Sequence, residues 1–223
     1  MGNLENVLNF KRQVLPVRVY KEEFMIGKMN EIGLSYCRNF GLDSFNLSTI
    51  KQLLYYFMED SKFKGDLTKG ILLRGNIGTG KTLMMRIFSE KKPGFNFTGP
   101  KNFLFHSVID VYAKFINHGH EGLDEYSKFY LHDEMLKNWT NTICFDELGI
   151  EPTTAMNYGN KLNIMELIIT KRYNNWQSYG QLTHFTTNLT PDEIEKNYGE
   201  RIRSRIAEMC NDLVLLGEDK RMK

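Results

Sequence analysis

The chain has 223 residues, 41% of them hydrophobic and 25% charged, a length and balance that suit one well-buried domain. Lys and Arg number 29 against 27 Asp and Glu, and a net charge of +2 excludes a generally basic surface that coats nucleic acid; any such contact falls to a local patch or an assembly. Three widely spaced cysteines, Cys37, Cys144 and Cys210, form no CxxC pair and so exclude a disulfide framework or zinc ribbon.

No apolar run approaches the roughly 20 residues that span a bilayer. The opening "MGNLENVLNF" has no signal-peptide core and carries Asn6 where a myristoylation signal needs Ser or Thr. The expectation is a cytoplasmic protein with no membrane partner.

Taken in chain order, Pro16 interrupts a first helical stretch. "KEEFMIGKMNEIGLSYCRNF" then reads as an amphipathic helix with Phe24, Ile32 and Tyr36 near one face, ended by Gly41. "LSTIKQLLYYFMED" reads as a second helix with Ser48 at its N-cap. On it Tyr55, Tyr56 and Phe57 are consecutive, so they cannot all face one way; core packing plus an adenine-side contact suits them better than a nucleic-acid stacking platform. Residues 1–65 thus read as a helical N-terminal extension and 66–223 as the core domain.

After "KGDLTKG" the pattern changes. Short apolar runs, "ILLR", "NFLFHSVI", "TNTICFDEL", "QLTHFTTNL" and "DLVLLGED", alternate with helical stretches, "KTLMMRIFSEKK", "IDVYAKFINHG", "NKLNIMELIITKRYNNW" and "PDEIEKNYGERIRSRIAEM". Strands alternating with helices predict βαβ units: a three-layer α/β fold with a central parallel sheet.

Between the first of these strands and its helix, Gly75, Asn76, Ile77, Gly78, Thr79, Gly80, Lys81 and Thr82 spell GxxxxGK(S/T) in full, with Leu83 following on the helix. Glycines let backbone N–H groups close around a β-phosphate, and the helix N-terminus favours anions. Lys81 suits the β- and γ-phosphates of ATP and the Thr82 hydroxyl suits Mg2+. Further along, "NTICFDELG" ends an apolar strand on Asp146 and Glu147. There an aspartate can hold magnesium through a water, and the neighbouring glutamate can polarise an attacking water. "HFTTNLT" places Thr187 and Asn188 at another strand end. Thr190 suits the N-cap before Pro191, which frees Asn188 to aim the water or sense the γ-phosphate.

"YGERIRSRIAEM" sets Arg201 and Arg205 on one helical face, with Arg203 elsewhere. A solvated basic face pairing Glu200 or Glu208 is one reading; an arginine reaching the γ-phosphate of a neighbouring subunit is the other. Two other features stay minor. His118 and His120, two apart in a glycine-flanked loop, suit a solvated turn better than a metal site. Lys91–Lys92 suits a helix C-terminus, and Lys171–Arg172 is left open between that role and DNA phosphates.

The blocks "GILLRGNIGTGKT", "ICFDELGIEP", "LIITKRYN", "FTTNLT", "YGERIRSRI" and "LLGEDKR" occur in an order that resembles AAA+ ATPases of the DnaC/IstB type, bacterial replicative helicase loaders and transposition helpers. The resemblance covers about residues 40–221. It implies an AAA+ core in which Lys81 and Thr82 belong to Walker A, Asp146 and Glu147 to Walker B, and Asn188 is sensor 1. It further implies that Arg205 acts in trans with Arg201 in support, and that Arg221 touches the nucleotide from the same subunit. The expectation is essentially none of the usual AAA+ helical lid after the sheet, which fits the reduced lid of loaders of this type, and the extension lacks the zinc-binding cysteines that some loaders carry.

The expected function is magnesium-dependent ATP hydrolysis coupled to homo-oligomeric assembly on single-stranded DNA or a replicative helicase. The alternatives are a nucleotide-gated adaptor that hydrolyses little, and a helper that binds a transposase.

Overall fold

In the run Gly70–Arg74, Ile71 and Leu73 face one side of an extended chain and Leu72 the other, and all three are buried. A strand covered on both faces belongs in a parallel sheet between two helical layers, which is where this one sits. The computed structural model describes residues 21–92, 95, 101–128, 142–152, 155–157 and 160–219.

In chain order the elements are α1 (Glu22–Tyr36), α2 (Leu47–Phe57), β1 (Gly70–Arg74), α3 (Lys81–Ser89), β2 (Leu104–Ser107), α4 (Val108–His118), α5 (Asp124–Ser127), β3 (Ile143–Leu148), β4 (Ala155–Asn157), β5 (Asn160–Leu162), α6 (Ile164–Tyr179), β6 (Thr183–Thr187), α7 (Pro191–Tyr198), α8 (Glu200–Met209) and β7 (Cys210–Val214). Five strands pair in the order β2-β3-β6-β1-β7, all in parallel, and β4 and β5 form a separate antiparallel hairpin.

Two apolar cores flank the sheet. One joins Ile71, Leu73 and Cys144 to α1, α2 and α3. The other joins Leu72, Phe145 and Phe185 to α4, α6, α7 and α8. The strand alternation therefore decides which layer each side chain serves, and the N-terminal helices share a core with β1 rather than standing apart from it.

Local structure departs from the sequence reading in several places. α1 ends at Tyr36, short of Gly41, and buries Met25, Met29 and Ile32 while Phe24 and Tyr36 lie out on its exposed side. The spacing i, i+4, i+7 of the buried three is the helical stripe, and the larger aromatics do not define it. Ser48 is not the N-cap of α2. The entry is instead a polar turn in which Asp43 Oδ1 accepts from the N–H groups of Phe45 and Asn46, each at 3.0 Å, with Ser48 already inside the helix.

"NFLFHSVI" is strand only to Ser107, whose hydroxyl accepts from Ile109 N and caps α4. "PDEIEKNYGERIRSRIAEM" is two helices, because Gly199 adopts φ 85° between them. Thr190 caps the first of these in a capping box with Glu193. β7 begins at Cys210, earlier than "DLVLLGED", and the hairpin β4–β5 has no counterpart in the sequence reading.

No helix among the described residues is long and apolar enough to cross a membrane.

Candidate active site

The loop Gly75–Gly80 joins β1 to α3 at the carboxyl end of the sheet. Gly78 and Gly80 hold φ of 77° and 95°, where an L side chain is strained. A Cβ on Gly78 would also lie 1.9 Å from Asp219 Oδ1, so the segment after β7 passes directly against the loop. Lys81 opens α3 and is almost wholly buried. Its Nζ donates to the carbonyls of Gly75 and Asn76, both at 2.8 Å, and to Asn188 Oδ1 at 2.6 Å. The ammonium thus ties the loop to the end of β6.

Asp146 sits near the end of β3 and is 4% exposed. Its Oδ1 accepts from Thr82 Oγ1 at 3.0 Å and from Thr186 Oγ1 at 2.5 Å. Burial pushes its carboxyl above the ordinary aspartate value, against the two hydroxyl bonds and the more distant charges of Arg86 and Lys81, which pull it down. Glu147 follows with φ 61°, a left-handed conformation that costs a non-glycine residue about 1–2 kcal/mol. That turn interrupts the register between β3 and β6 after Phe145, and pairing resumes at Leu148 with Thr187. Glu147 N–H donates to Thr186 Oγ1 at 2.8 Å. Beyond it Gly149 N–H donates to Glu151, which also accepts from the Tyr198 hydroxyl.

A cavity of about 580 Å³ is lined by Ile77 to Met84, Glu147 and Asn188 on one side and by the α1–α2 connection, with Asn39 and Phe40, on the other; Gly75, Asn76 and Asp146 do not line it, and Asp146 reaches it through its bond from Thr82. The volume suits a nucleotide-sized molecule. Thr82 and Asp146 offer oxygen donors within 3.0 Å of each other, the donor type a hard divalent cation such as magnesium takes, so the residues fit that ion.

Other residues singled out from the sequence lie elsewhere. Arg205 is on α8, where its Nη1 donates to Thr170 Oγ1 at 2.7 Å and its guanidinium stacks over Tyr173, 5.1 Å from the ring centroid. Arg201 is exposed in the first turn of that helix. Neither lines the cavity. Glu208, considered as an arginine partner, accepts from the Tyr173 hydroxyl instead. Arg221 lies outside the described residues, as does Pro16.

Tyr56 and Phe57 are core residues packed on His184, and the Tyr55 hydroxyl donates to Glu22, so none of the three lines the cavity, whose wall on that side includes Asn39 and Phe40. Arg172 is fully buried and donates to Thr183 Oγ1 and to the carbonyls of Tyr126 and Leu182; it is a strut, out of reach of DNA phosphates.

Sequence reasoning missed Thr186 and Arg86. Arg86 lines the cavity one helical turn beyond Thr82 and stacks over Phe105 at 5.1 Å. The doubled threonine in "HFTTN" was the available signal for Thr186; strand propensity accounts for threonine equally well and hides it.

No family model matches the sequence, and no curated protein matches it. Solved structures do match the fold. A DNA replication initiation factor superposes with a TM-score of 0.53 at 13% identity, over 83% of this chain and 50% of that one. DnaI gives 0.50 at 20% identity, over 86% of this chain and 93% of its own. AMPPCP-bound DnaA from Aquifex aeolicus gives 0.50 at 14% identity, over 82% and 51%. The five-stranded parallel sheet with its loop between β1 and α3 is therefore the AAA+ P-loop fold, as the DnaC/IstB-type resemblance of the motifs implies.

Proposed function

We propose that the chain binds ATP with magnesium at the β1–α3 loop, hydrolyses it, and acts in DNA replication as a helicase-loader-like factor that assembles on a helicase or on single-stranded DNA. The observation that carries this reading is the convergence of three strand ends on one cavity: Lys81 bonded to Asn188, and Thr82 bonded to Asp146 beside Glu147.

Lys81 would exchange its carbonyl partners for phosphate oxygens, and the loop amides would hold the β-phosphate. Thr82 and Asp146 would hold magnesium, which when bound neutralises charge on the phosphates. Glu147, at the cavity wall, would orient the attacking water, with Asn188 helping to place it. Leu83 and Phe40 would flank the nucleoside. Arg205, occupied within its own chain by Thr170 and Tyr173, would complete the site of a second copy on assembly, with Arg201 beside it. Likeness to DnaI and to a replication initiation factor supports the replication setting, and the AMPPCP in DnaA supports the nucleotide.

The test compares wild type with Glu147→Gln. Retained ATP binding with turnover reduced by about 100-fold or more supports the hydrolase. Undetectable turnover in both, even with single-stranded DNA present, supports a nucleotide-gated adaptor in its place. Tagged Glu147→Gln held in ATP then identifies the partner: a helicase in the eluate supports the loader, a transposase the transposition helper. Absence of any ATP binding by folded wild type with magnesium would remove the reading altogether.

A further inference from the structure

We infer that Thr186 is a positioning residue that sets the orientation of both acids, Asp146 and Glu147, through its single hydroxyl. The inference rests on the nucleotide-site reading above and deepens it.

A threonine hydroxyl has one proton to give. At 2.5 Å from Asp146 Oδ1, with a carboxylate that can only accept, Thr186 gives that proton to Asp146. Its lone pair then receives the Glu147 N–H at 2.8 Å. The result is a directed chain from Glu147 N–H through Thr186 Oγ1 to Asp146 Oδ1. Thr186 is fully buried in β6, a central strand, so neither the hydroxyl nor its backbone has room to choose another geometry.

Each bond has a separate effect. Thr82 and Thr186 both donate to Oδ1, and Oδ2 accepts no hydrogen bond among the described residues. With Oδ1 taken by both hydroxyls, Oδ2 is the oxygen left to a cation or its water. Thr82 is itself placed as a metal ligand and rides on the phosphate loop, whereas Thr186 is held by the sheet; Thr186 is the donor that keeps Asp146 aimed whatever the loop does. The second bond holds the backbone N–H of Glu147 in its left-handed turn, where β3 and β6 lose register, while the Glu147 carbonyl accepts from Ile150 N–H at 3.2 Å. One hydroxyl therefore links the metal-side acid to the water-side acid.

The test titrates magnesium into wild type, Thr186→Val and Thr186→Ser, following binding of a fluorescent ATP analogue with and without a chelator, and following turnover and thermal melting in parallel. Val keeps the shape and removes the hydroxyl; Ser keeps the hydroxyl and trims the packing. The Val variant is expected to bind nucleotide like wild type in chelator but to need about 10- to 100-fold more magnesium for half-maximal tightening, with turnover reduced at saturating nucleotide and Ser restoring the magnesium midpoint to within about threefold.

A Val variant with the wild-type magnesium midpoint overturns the inference. So does equal impairment of Val and Ser, which would make the residue a packing element. Should the Val chain be unfolded at the assay temperature, Thr186→Ala takes its place in the same titration, where a raised midpoint supports the inference and a wild-type midpoint overturns it. Wild type that binds no nucleotide in either condition fails the underlying site reading and takes this inference with it, an outcome distinct from a normal wild-type response that Val leaves unchanged.

Discussion

Lys81 and Arg205 are both cations that the proposed reaction needs, and the fold treats them in opposite ways. Lys81 is drawn into the cavity, bonded to its own loop and to the end of β6. Arg205 is turned away onto α6, donating to Thr170 and lying over Tyr173. Around Lys81 the residues of three strand ends are joined through Asn188, Thr82, Asp146 and Thr186. The hydrogen bond and ring contact of Arg205 both go to α6, at Thr170 and Tyr173. On the proposed reading, binding would be built into one chain, whereas completion of the site would wait on an arginine that the same chain holds against α6.

The largest effect that would break this contrast is kinetic. Arg205→Ala is expected to lower turnover by about 10³-fold at concentrations where wild type assembles, while ATP affinity stays within about twofold. Phosphate release and calorimetry measure the two quantities, and normal turnover in the variant would end the trans-arginine assignment. Next comes the reciprocal change. Lys81→Ala should weaken ATP binding by about 100-fold, since it removes a buried cation from the end of the cavity proposed to hold the phosphates. A variant that binds like wild type in calorimetry would mean that the ammonium is structural.

The smallest effect concerns what lies behind β1. His184 Nδ1 accepts from Ile71 N–H at 3.0 Å, and its ring is enclosed by Tyr56, Phe57 and Phe103. Burial holds its pKa well below the ordinary histidine value, with the charges of Lys101 and Arg172 adding to the effect. The unfolded chain takes up a proton as pH falls below about 6.5 and the folded chain does not, so stability should fall with pH there by up to about 1.4 kcal/mol per unit. His184→Gln, which keeps an acceptor for Ile71, should flatten that acid limb in denaturant melts between about pH 6.5 and 5. An unchanged slope would show that other groups govern acid sensitivity at this end.

Motifs set by covalent spacing were legible in the sequence. Gly75–Thr82 had to be a strand–loop–helix junction, and Asp146–Glu147 had to end a buried strand, because apolar runs and glycine positions fix both locally. Thr190 was readable as a cap for the same reason, with Pro191 following it. What escaped depends on long-range packing. The inward stripe of α1 runs through methionines, whose flexible side chains fit the core better than the neighbouring aromatics do. Arg172 looked like surface charge and is a buried strut, since nothing local announces the three oxygens that receive it. Asn39 and Phe40 reach the cavity only because α1 and α2 share a core with α3. Thr186 was hidden by its own strand propensity, and only the register break beside it exposes what its hydroxyl does.

Glu147 occupies a backbone geometry better suited to glycine, and that leaves the protein with a conflict between sturdiness and work. A chain optimised for resistance to heat alone would discard the acid here and gain on the order of 1 kcal/mol. Keeping an acid there leaves a small weakness at the spot where, in the proposed reaction, a water would be aimed.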